Sequence, residues 1–432
     1  MDHFQCLAEI LLDTQWTSDS LEQAIVLFSV PRSKARKRLS AAILLEFKTP
    51  PSRSVLASYL QTHKLCEKLN WSKAEGFRLH DVEPNRMRRA VAAPFAASIP
   101  TLPTVGQFAK WCDMEVGLVD WLAQHRKDHY RVSTTPKRSG GVRIVEAPRM
   151  RLKAIQRKIA TEILQTIPCH SAAHGFVRGR SALSYVQPHV GKPVLLRMDL
   201  QDFFPSIAAS RVFGLFRSMG YPYAMTQLLT NLCTATCSEE KLQMLQPDGW
   251  RFQPNLDRYW QLRSLYCRKH LPQGAPSSPA LANLIAYRLD CRLAGLARSV
   301  GINYTRYADD LLISGSESFG RVAKAFAIKV GSIAMEEGFQ IQFRKTRIMR
   351  AATRQTAAGI VLNRCTNLNR IEYDRLKATL CNCARMGPST QNRNQLADFE
   401  AHLRGRVNWV RQLHPVRGEK LAALFLTIDW SK

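Results

Sequence analysis

The feature that most constrains this chain is the stretch Asn303-Tyr304-Thr305-Arg306-Tyr307-Ala308-Asp309-Asp310-Leu311-Leu312-Ile313-Ser314. Two adjacent carboxylates interrupt two runs of strand-forming residues. Tyr304, Thr305 and Tyr307 lead in, and Leu311 to Ile313 lead out. The pattern predicts a β-hairpin with Asp309 and Asp310 at its tip. Neighbouring side chains on a strand point to opposite faces, so two acids in sequence rarely serve one site. At a turn that alternation breaks, and both can approach one cation. Taken alone, the pair fits an exposed surface turn as well as it fits a site.

A second acidic position tips the balance. In Leu196-Arg197-Met198-Asp199-Leu200-Gln201-Asp202-Phe203-Phe204-Pro205-Ser206-Ile207, the run from Pro193 to Met198 reads as a buried strand with Asp199 at its end. Asp199, Asp309 and Asp310 would then stand at the ends of neighbouring strands, with Leu200 counted among the ligating positions. Hard divalent ions such as Mg²⁺ take oxygen ligands, usually one or two carboxylates plus substrate phosphates. Two such ions can hold the attacking and leaving oxygens of an in-line phosphoryl displacement.

Charge points to the substrate class. Lys and Arg number 62 against 34 Asp and Glu, a net charge of +28. A nucleic acid fits that excess, because cations on a phosphate backbone release condensed counterions. A basic protein at a membrane surface is the competing reading. No uncharged apolar run reaches the about 18 residues needed to span a bilayer. The N-terminus carries Asp2, Glu9 and Asp13 and has no basic segment before an apolar core, so no signal peptide and a cytoplasmic location are expected. The 11 cysteines form no CxxC…CxxC pattern, and reduced, buried thiols are expected.

Along the chain, residues 1–103 read as a basic helical region. It holds the cluster Lys34-Ala35-Arg36-Lys37-Arg38 and an Ala/Pro linker around Ala90 to Ala97. Two short helices follow over 104–130, with Trp111 and Trp121 as core anchors. Gly140-Gly141 between extended runs marks a hairpin from Tyr130 to Pro148. Leu152 to Leu164 is helical, with Leu152, Ile155, Ile159 and Ile163 on one face. Helices are expected over Val212 to Met219 and Ala224 to Leu232, and a polar, irregular insertion over Cys233 to Arg268. Leu271-Pro272-Gln273-Gly274-Ala275-Pro276 makes a turn, and Ser278 or a neighbour caps a helix from Ala280 to Ala294. Further helices are expected over Phe319 to Glu337, Ile371 to Met386, Ala397 to Leu413 and Lys420 to Trp430.

A strand ending in Asp199 with Phe203-Phe204 behind it, the Pro272-Gln273-Gly274 loop, and Tyr307-Ala308-Asp309-Asp310 resemble, in that order, the palm motifs of reverse transcriptases. The likeness is to bacterial retron-type and defence-associated enzymes and covers about residues 125–432. It implies an α+β right-hand polymerase. The expected parts are an N-terminal helical region (1–103), fingers (104–192), a palm with an antiparallel sheet and an interleaved fingers segment (193–363), and a helical thumb (364–432).

The resemblance also implies roles. Asp199, Asp309 and Asp310 would be catalytic and would hold two Mg²⁺ ions. Arg143 and Lys153, with Lys137 a weaker candidate, would meet the incoming triphosphate. Gln273 and Gly274 would border the nucleotide, and Lys345 would sit near the leaving pyrophosphate. Phe204 would pack under the sugar and exclude a 2′-hydroxyl. His174-Gly175-Phe176-Val177-Arg178-Gly179-Arg180-Ser181 resembles the second fingers motif, in which Arg178 and Arg180 would pair with phosphate. Tyr307, the hairpin at Gly359, and Arg404 and Arg406 on the thumb would contact nucleic acid. Retron enzymes carry Asn-Ala-x-x-His after the second fingers motif. This chain has Tyr185-Val186-Gln187-Pro188-His189, and only the histidine matches.

The expected activity is RNA-directed DNA synthesis on a structured non-coding RNA in a retron-like or anti-phage system. Its partners would be that RNA, the RNA/DNA duplex, dNTPs and an effector protein, without a membrane. An RNA-templated RNA polymerase and a non-catalytic RNA-binding protein on the same scaffold stay open as alternatives.

Overall fold

The structure is a computed structural model. It describes residues 33–49, 51–63, 99–125, 128–136, 142–244 and 256–431, with five single positions before residue 22. The Ala90 to Ala97 linker and Lys137 lie outside the described residues, as does the Gly140-Gly141 turn. The chain divides into two compact units. One comprises Met1–Pro168 and Phe204–Ile285, the other Cys169–Phe203 and Ala286–Lys432.

In the first unit, β1 (Tyr130–Pro136) pairs antiparallel with β2 (Val142–Pro148), as expected for a hairpin. Helix α1 (Met150–Ile159) continues into a π turn, Ala160–Leu164. Leu152, Ile155, Ile159 and Ile163 are all buried, which is the face their spacing predicts. Gln156 is also fully buried, and its amide donates at 2.7 Å to both the Tyr130 hydroxyl and the Leu232 carbonyl. Helices Ala209–Ser218 and Tyr223–Cys233 lie where the apolar period places them.

Four expectations change here. The described parts of the segment from Cys233 to Arg268, residues 233–244 and 256–268, are not irregular. They contain helices Glu239–Met244 and Leu256–Tyr266, and Cys237, Leu242, Leu262 and Tyr266 pack with Ile144. Their apolar residues are sparse in sequence, so the helical period is faint. Trp121 is 47% exposed and is no core anchor, because its ring lies edge-on to His129 on the outer side. Ser278 does not cap by its side chain: it is the first residue of helix Ser278–Ile285, and its hydroxyl is buried with no hydrogen-bond partner among the described residues. The helix read as Ala280 to Ala294 is two helices, Ser278–Ile285 and α2 (Tyr287–Ser299), parted at Ala286.

The second unit is built on a four-stranded antiparallel sheet in the order β4 (Asn303–Tyr307), β5 (Asp310–Gly315), β3 (Val194–Asp199), β6 (Arg347–Arg350). Period-two alternation gives this sheet two different faces. Val194, Leu196, Met198, Leu311 and Ile313 share one face with Tyr304 and Arg306, by strand register. Helices α2 and α3 (Glu317–Glu336) cover it, and the lack of a side chain at Gly320 lets α3 approach Val194. The other face carries Leu195, Arg197 and Asp199 opposite Ser314, Leu312 and Asp310. The short helix Ala182–Val186 and the turn after it lie there, with Tyr185 and Val186 packed on Leu195 and Leu312.

His189 fastens that turn to the sheet. It is fully buried, with Nδ1 2.7 Å from Ser314 Oγ and Nε2 2.8 Å from Thr305 Oγ1. The Thr305 hydroxyl gives its proton to the Tyr185 carbonyl, so Thr305 accepts from Nε2–H and Nδ1 accepts from Ser314. The imidazole is neutral, and burial pushes its pKa down to about 3, with His174 and Lys192 acting in the same direction.

Three helices close the chain: α4 (Arg370–Met386), α5 (Phe399–Leu413) and α6 (Pro415–Leu426). The last starts earlier than Lys420 because Pro415 is well placed at a first turn and His414 caps it. Leu376, Leu380, Leu403, Val407, Val410 and Leu421 form their core. Two hairpin strands precede them, β7 (Thr356–Ala357) and β8 (Ile360–Val361). Ala358 and Gly359 turn between them with φ of 48° and 78°, a left-handed pair suited to a two-residue turn. Among the described residues every cysteine is a free thiol, but Cys291 and Cys365 are exposed rather than buried.

Two outcomes follow. A Cβ on Gly418 would fall on the Arg411 backbone, whereas one on Gly405 would meet nothing within 4 Å. Gly418→Ala should lower unfolding free energy by about 1–3 kcal/mol, and Gly405→Ala should raise it by about 0.5–1 kcal/mol, both read by denaturant titration. His189 takes up a proton near pH 6.5 when unfolded but only near 3 when folded, so it withdraws stability as pH falls below about 6.5. The slope of stability against pH between 6 and 4 should therefore be shallower in His189→Gln, by up to about 1.4 kcal/mol per pH unit.

Candidate active site

Asp199 ends β3 and Asp310 begins β5, and the two are direct cross-strand partners. Asp309 lies in the two-residue turn before Asp310, and its carbonyl accepts the Leu200 N–H at 2.8 Å. Asp199 thus meets Asp309 and Asp310, more than a hundred residues later in sequence, at one end of the sheet. Ala308 adopts φ 55° to make the turn. Gly175 lies under it, and a Cβ there would come within 2.5 Å of Ala308 N, so only glycine lets that loop pass.

The turn is held from the opposite face of the sheet. Arg306 is fully buried and forks onto Asp290 of α2, with Nε–Oδ1 at 2.8 Å and Nη2–Oδ2 at 2.6 Å. Its Nη1 reaches the Ala308 carbonyl at 3.0 Å, and the Tyr304 hydroxyl donates to Asp290 at 2.8 Å. The Arg306 backbone pairs with Ala172 and His174, each at 2.7 Å. One residue, through its side chain and its backbone, therefore ties α2, the loop before Gly175 and the turn carrying Asp309.

Two cations sit among the acids. Arg197 forks onto Asp310, with Nε and Nη2 at 3.0 and 2.9 Å from Oδ1 and Nη2 at 2.8 Å from Oδ2. Lys345 Nζ lies 3.0 and 2.9 Å from the two oxygens of Asp199. Among the described residues no side-chain cation pairs with Asp309. Burial, then the neighbouring Asp199 and Asp310, raise its pKa to about 6. Among the same residues no group of three or more His, Cys, Asp or Glu side chains is placed, as it stands, to hold a metal ion. What they offer is an open set of hard oxygens. The buried Leu200 could add only its carbonyl. Open carboxylate sets of this kind suit Mg²⁺-class ions that complete their shell with water and phosphate. The crowded, raised Asp309 is a group that a cation would relieve.

The other expected residues fall as follows. Lys345 is at the carboxylates, in a turn of 3₁₀ helix, Phe343–Lys345. Tyr307 is half-buried, its ring 5.6 Å from that of Tyr185. Arg178 is exposed. Arg180 turns inward instead, with Nη1 donating to the carbonyls of His170 at 2.7 Å, Ser171 at 3.1 Å and Ala173. That end of its guanidinium staples the loop rather than facing a phosphate. Gly359 is in its turn. On α5, Arg404 pairs with Glu400 and lies over the Phe425 ring, and Arg406 is half-buried.

In the other unit, Arg143 and Lys153 are exposed. Phe204 is half-buried there, whereas its neighbour Phe203 is 4% exposed in the second unit. The loop at Gln273 and Gly274 is fixed to β2, where Glu146 N–H donates to the Gln273 carbonyl at 2.8 Å. His270 Nε2 lies 2.7 Å from Glu146 Oε2, both buried. Gly274 has φ 125°, and a Cβ would press on Val145 and the Glu146 carbonyl. Sequence reading missed Arg197, Arg306, Asp290, Glu146 and His270. The available signal was charge inside strands or helices that otherwise read as buried, because such charges need partners.

Residues 135–394 match the family described as reverse transcriptase (RNA-dependent DNA polymerase). The chain is 38% identical to the retron Mx65 reverse transcriptase of Myxococcus xanthus, over 75% of this chain and 71% of that protein. It is 31% identical to the retron Mx162 reverse transcriptase of the same organism, over 84% and 73%. It is 32% identical to the retron Ec86 reverse transcriptase of Escherichia coli, over 65% and 78%. With three aspartates gathered at one end of an antiparallel sheet and this breadth of similarity, the chain belongs to the reverse transcriptases, RNA-directed DNA polymerases, of the retron type.

Proposed function

We propose that the chain copies a structured non-coding RNA into DNA by nucleotidyl transfer at Asp199, Asp309 and Asp310, as part of a retron-like, anti-phage system. The observation that carries this reading is the register pairing of Asp199 with Asp310, with Asp309 in the adjoining turn. Reverse transcriptases use divalent metal ions, and Mg²⁺ is the ion this oxygen set suits. When bound at these oxygens, a pair of such ions supplies the positive charge that activates a primer hydroxyl and balances the triphosphate.

The chain's own residues do the rest. Asp199 and Asp309, with the Leu200 carbonyl, present oxygens on one side, and Asp310 is oriented by Arg197. Lys345 sits on Asp199, where it can pass to the β- and γ-phosphates as a charge or proton donor once a cation takes that carboxylate. Residues 104–192 act as fingers, with Arg143 and Lys153 toward the triphosphate and Arg178 toward the template. Residues 193–363 act as palm, with Gln273 and Gly274 at the nucleotide and Tyr307 and Gly359 along the primer. Residues 364–432 act as a thumb, with Arg404 and Arg406 toward the duplex backbone. Phe204 excludes a ribose 2′-hydroxyl by bulk. The retron relatives support the non-coding RNA template, and an effector protein is the further partner of this reading.

Asp309→Asn and Asp310→Asn should each abolish dNTP incorporation in a primer-extension assay with Mg²⁺ while RNA binding stays near wild type; extension at wild-type rate by both would end the assignment. Phe204→Ala should shift the dNTP/rNTP preference toward ribonucleotides by roughly 10–200-fold, the range a single pocket contact commands, measured as the ratio of kcat/KM values.

A further inference from the structure

Among the described residues, Tyr185 is one of the largest fully buried side chains, and its hydroxyl has no hydrogen-bond partner. Leaving a buried hydroxyl unpaired costs about 1–3 kcal/mol, and phenylalanine would fill the same space without it. The ring is held on the carboxylate-bearing face of the sheet. It lies 5.6 Å from the ring of Tyr307, the cross-strand partner of Asp310. It packs in one buried cluster with Leu195 and Leu312. Those residues stand two positions before Arg197 and two after Asp310, on the same face as both.

The charges that bear on the hydroxyl are those of the site. Burial raises the phenol well above its ordinary range, Asp310 and Asp309 raise it further, and Arg197 opposes them. The group is therefore a protonated donor on the face that carries Asp310, its ring against Tyr307, the cross-strand partner of that acid. Asp310 accepts three N–H bonds from Arg197 alone, while an ionised carboxylate has about four acceptor positions. A cation that coordinates Asp310 competes with the Arg197 fork for the same lone pairs. Once the fork loosens, the carboxylate needs another donor to keep its orientation.

We propose that Tyr185 is a positioning residue of the carboxylate site: its hydroxyl is the donor that takes the Asp310 carboxylate when a divalent cation draws that group off Arg197. The inference rests on the reading of Asp199, Asp309 and Asp310 as cation ligands. It also gives a physical reason for a tyrosine at a position where an apolar ring would pack equally well.

The test is Tyr185→Phe in the full chain, which keeps the ring and its packing. Three quantities are measured: Mn²⁺ affinity by electron paramagnetic resonance on a complex with a dideoxy-terminated primer on an RNA template, steady-state kcat and KM for dNTP, and the metal-free Tm. The expected result is a Mn²⁺ affinity and a kcat each lowered about tenfold, an unchanged dNTP KM, and a metal-free Tm equal to or above wild type. Unchanged Mn²⁺ affinity and kcat would overturn the proposal and leave the carboxylate reading standing. A lowered metal-free Tm would overturn it as well, since the hydroxyl would then be serving a fixed water or packing partner. If wild type binds Mn²⁺ no better than Asp309→Asn, the carboxylate reading fails and this inference with it.

Discussion

Antiparallel pairing of β3 with β5 sets Asp199 directly against Asp310, and like charges placed so are mutually destabilising. Much of the second unit answers that constraint. Arg197 neutralises Asp310 from within the same strand as Asp199, and Lys345 neutralises Asp199 from the turn before β6. Asp309, carried in the turn, has no such partner among the described residues and stays harder to ionise. The arrangement keeps three acids together by tying two of them to cations.

The two faces of the sheet divide the labour. On the face under α2, Asp290, Arg306 and Tyr304 form a fully buried network that ends on the Ala308 carbonyl. A buried ion pair of this kind adds little net stability over apolar packing, but it has a specific geometry. Here that geometry fixes the turn bearing Asp309. On the opposite face, His189 pins β4 and β5 to the turn after Tyr185 with a neutral imidazole and two hydroxyls.

Helix and strand positions were legible where apolar periods are strong. The buried face of α1, the helices α3 and α5, and the β4–β5 hairpin with Asp309 in its turn follow from spacing alone. The insertion over Cys233 to Arg268 was not legible, because its helices are mostly polar and are stabilised by a few contacts to Ile144 that no local pattern encodes. Trp121 misled for the reverse reason: a large aromatic is usually inside, but this one covers His129 from the outside. Arg180 read as a phosphate ligand because glycine-flanked arginines are exposed by default, yet three carbonyls of its own loop claim it.

The sequence by itself determined the acids, the turn that lets Asp309 and Asp310 act together, the strand that ends at Asp199, and the basic charge that calls for a polyanion. These depend on local chemistry: turn conformation, alternation and composition. Only the tertiary structure decided what restrains those acids. Arg197, Lys345, Asp290 with Arg306, and the unpartnered hydroxyl of Tyr185 acquire meaning through cross-strand register and the packing of one layer on another. Those relations join residues up to about 150 positions apart, and no spacing in a single chain records them.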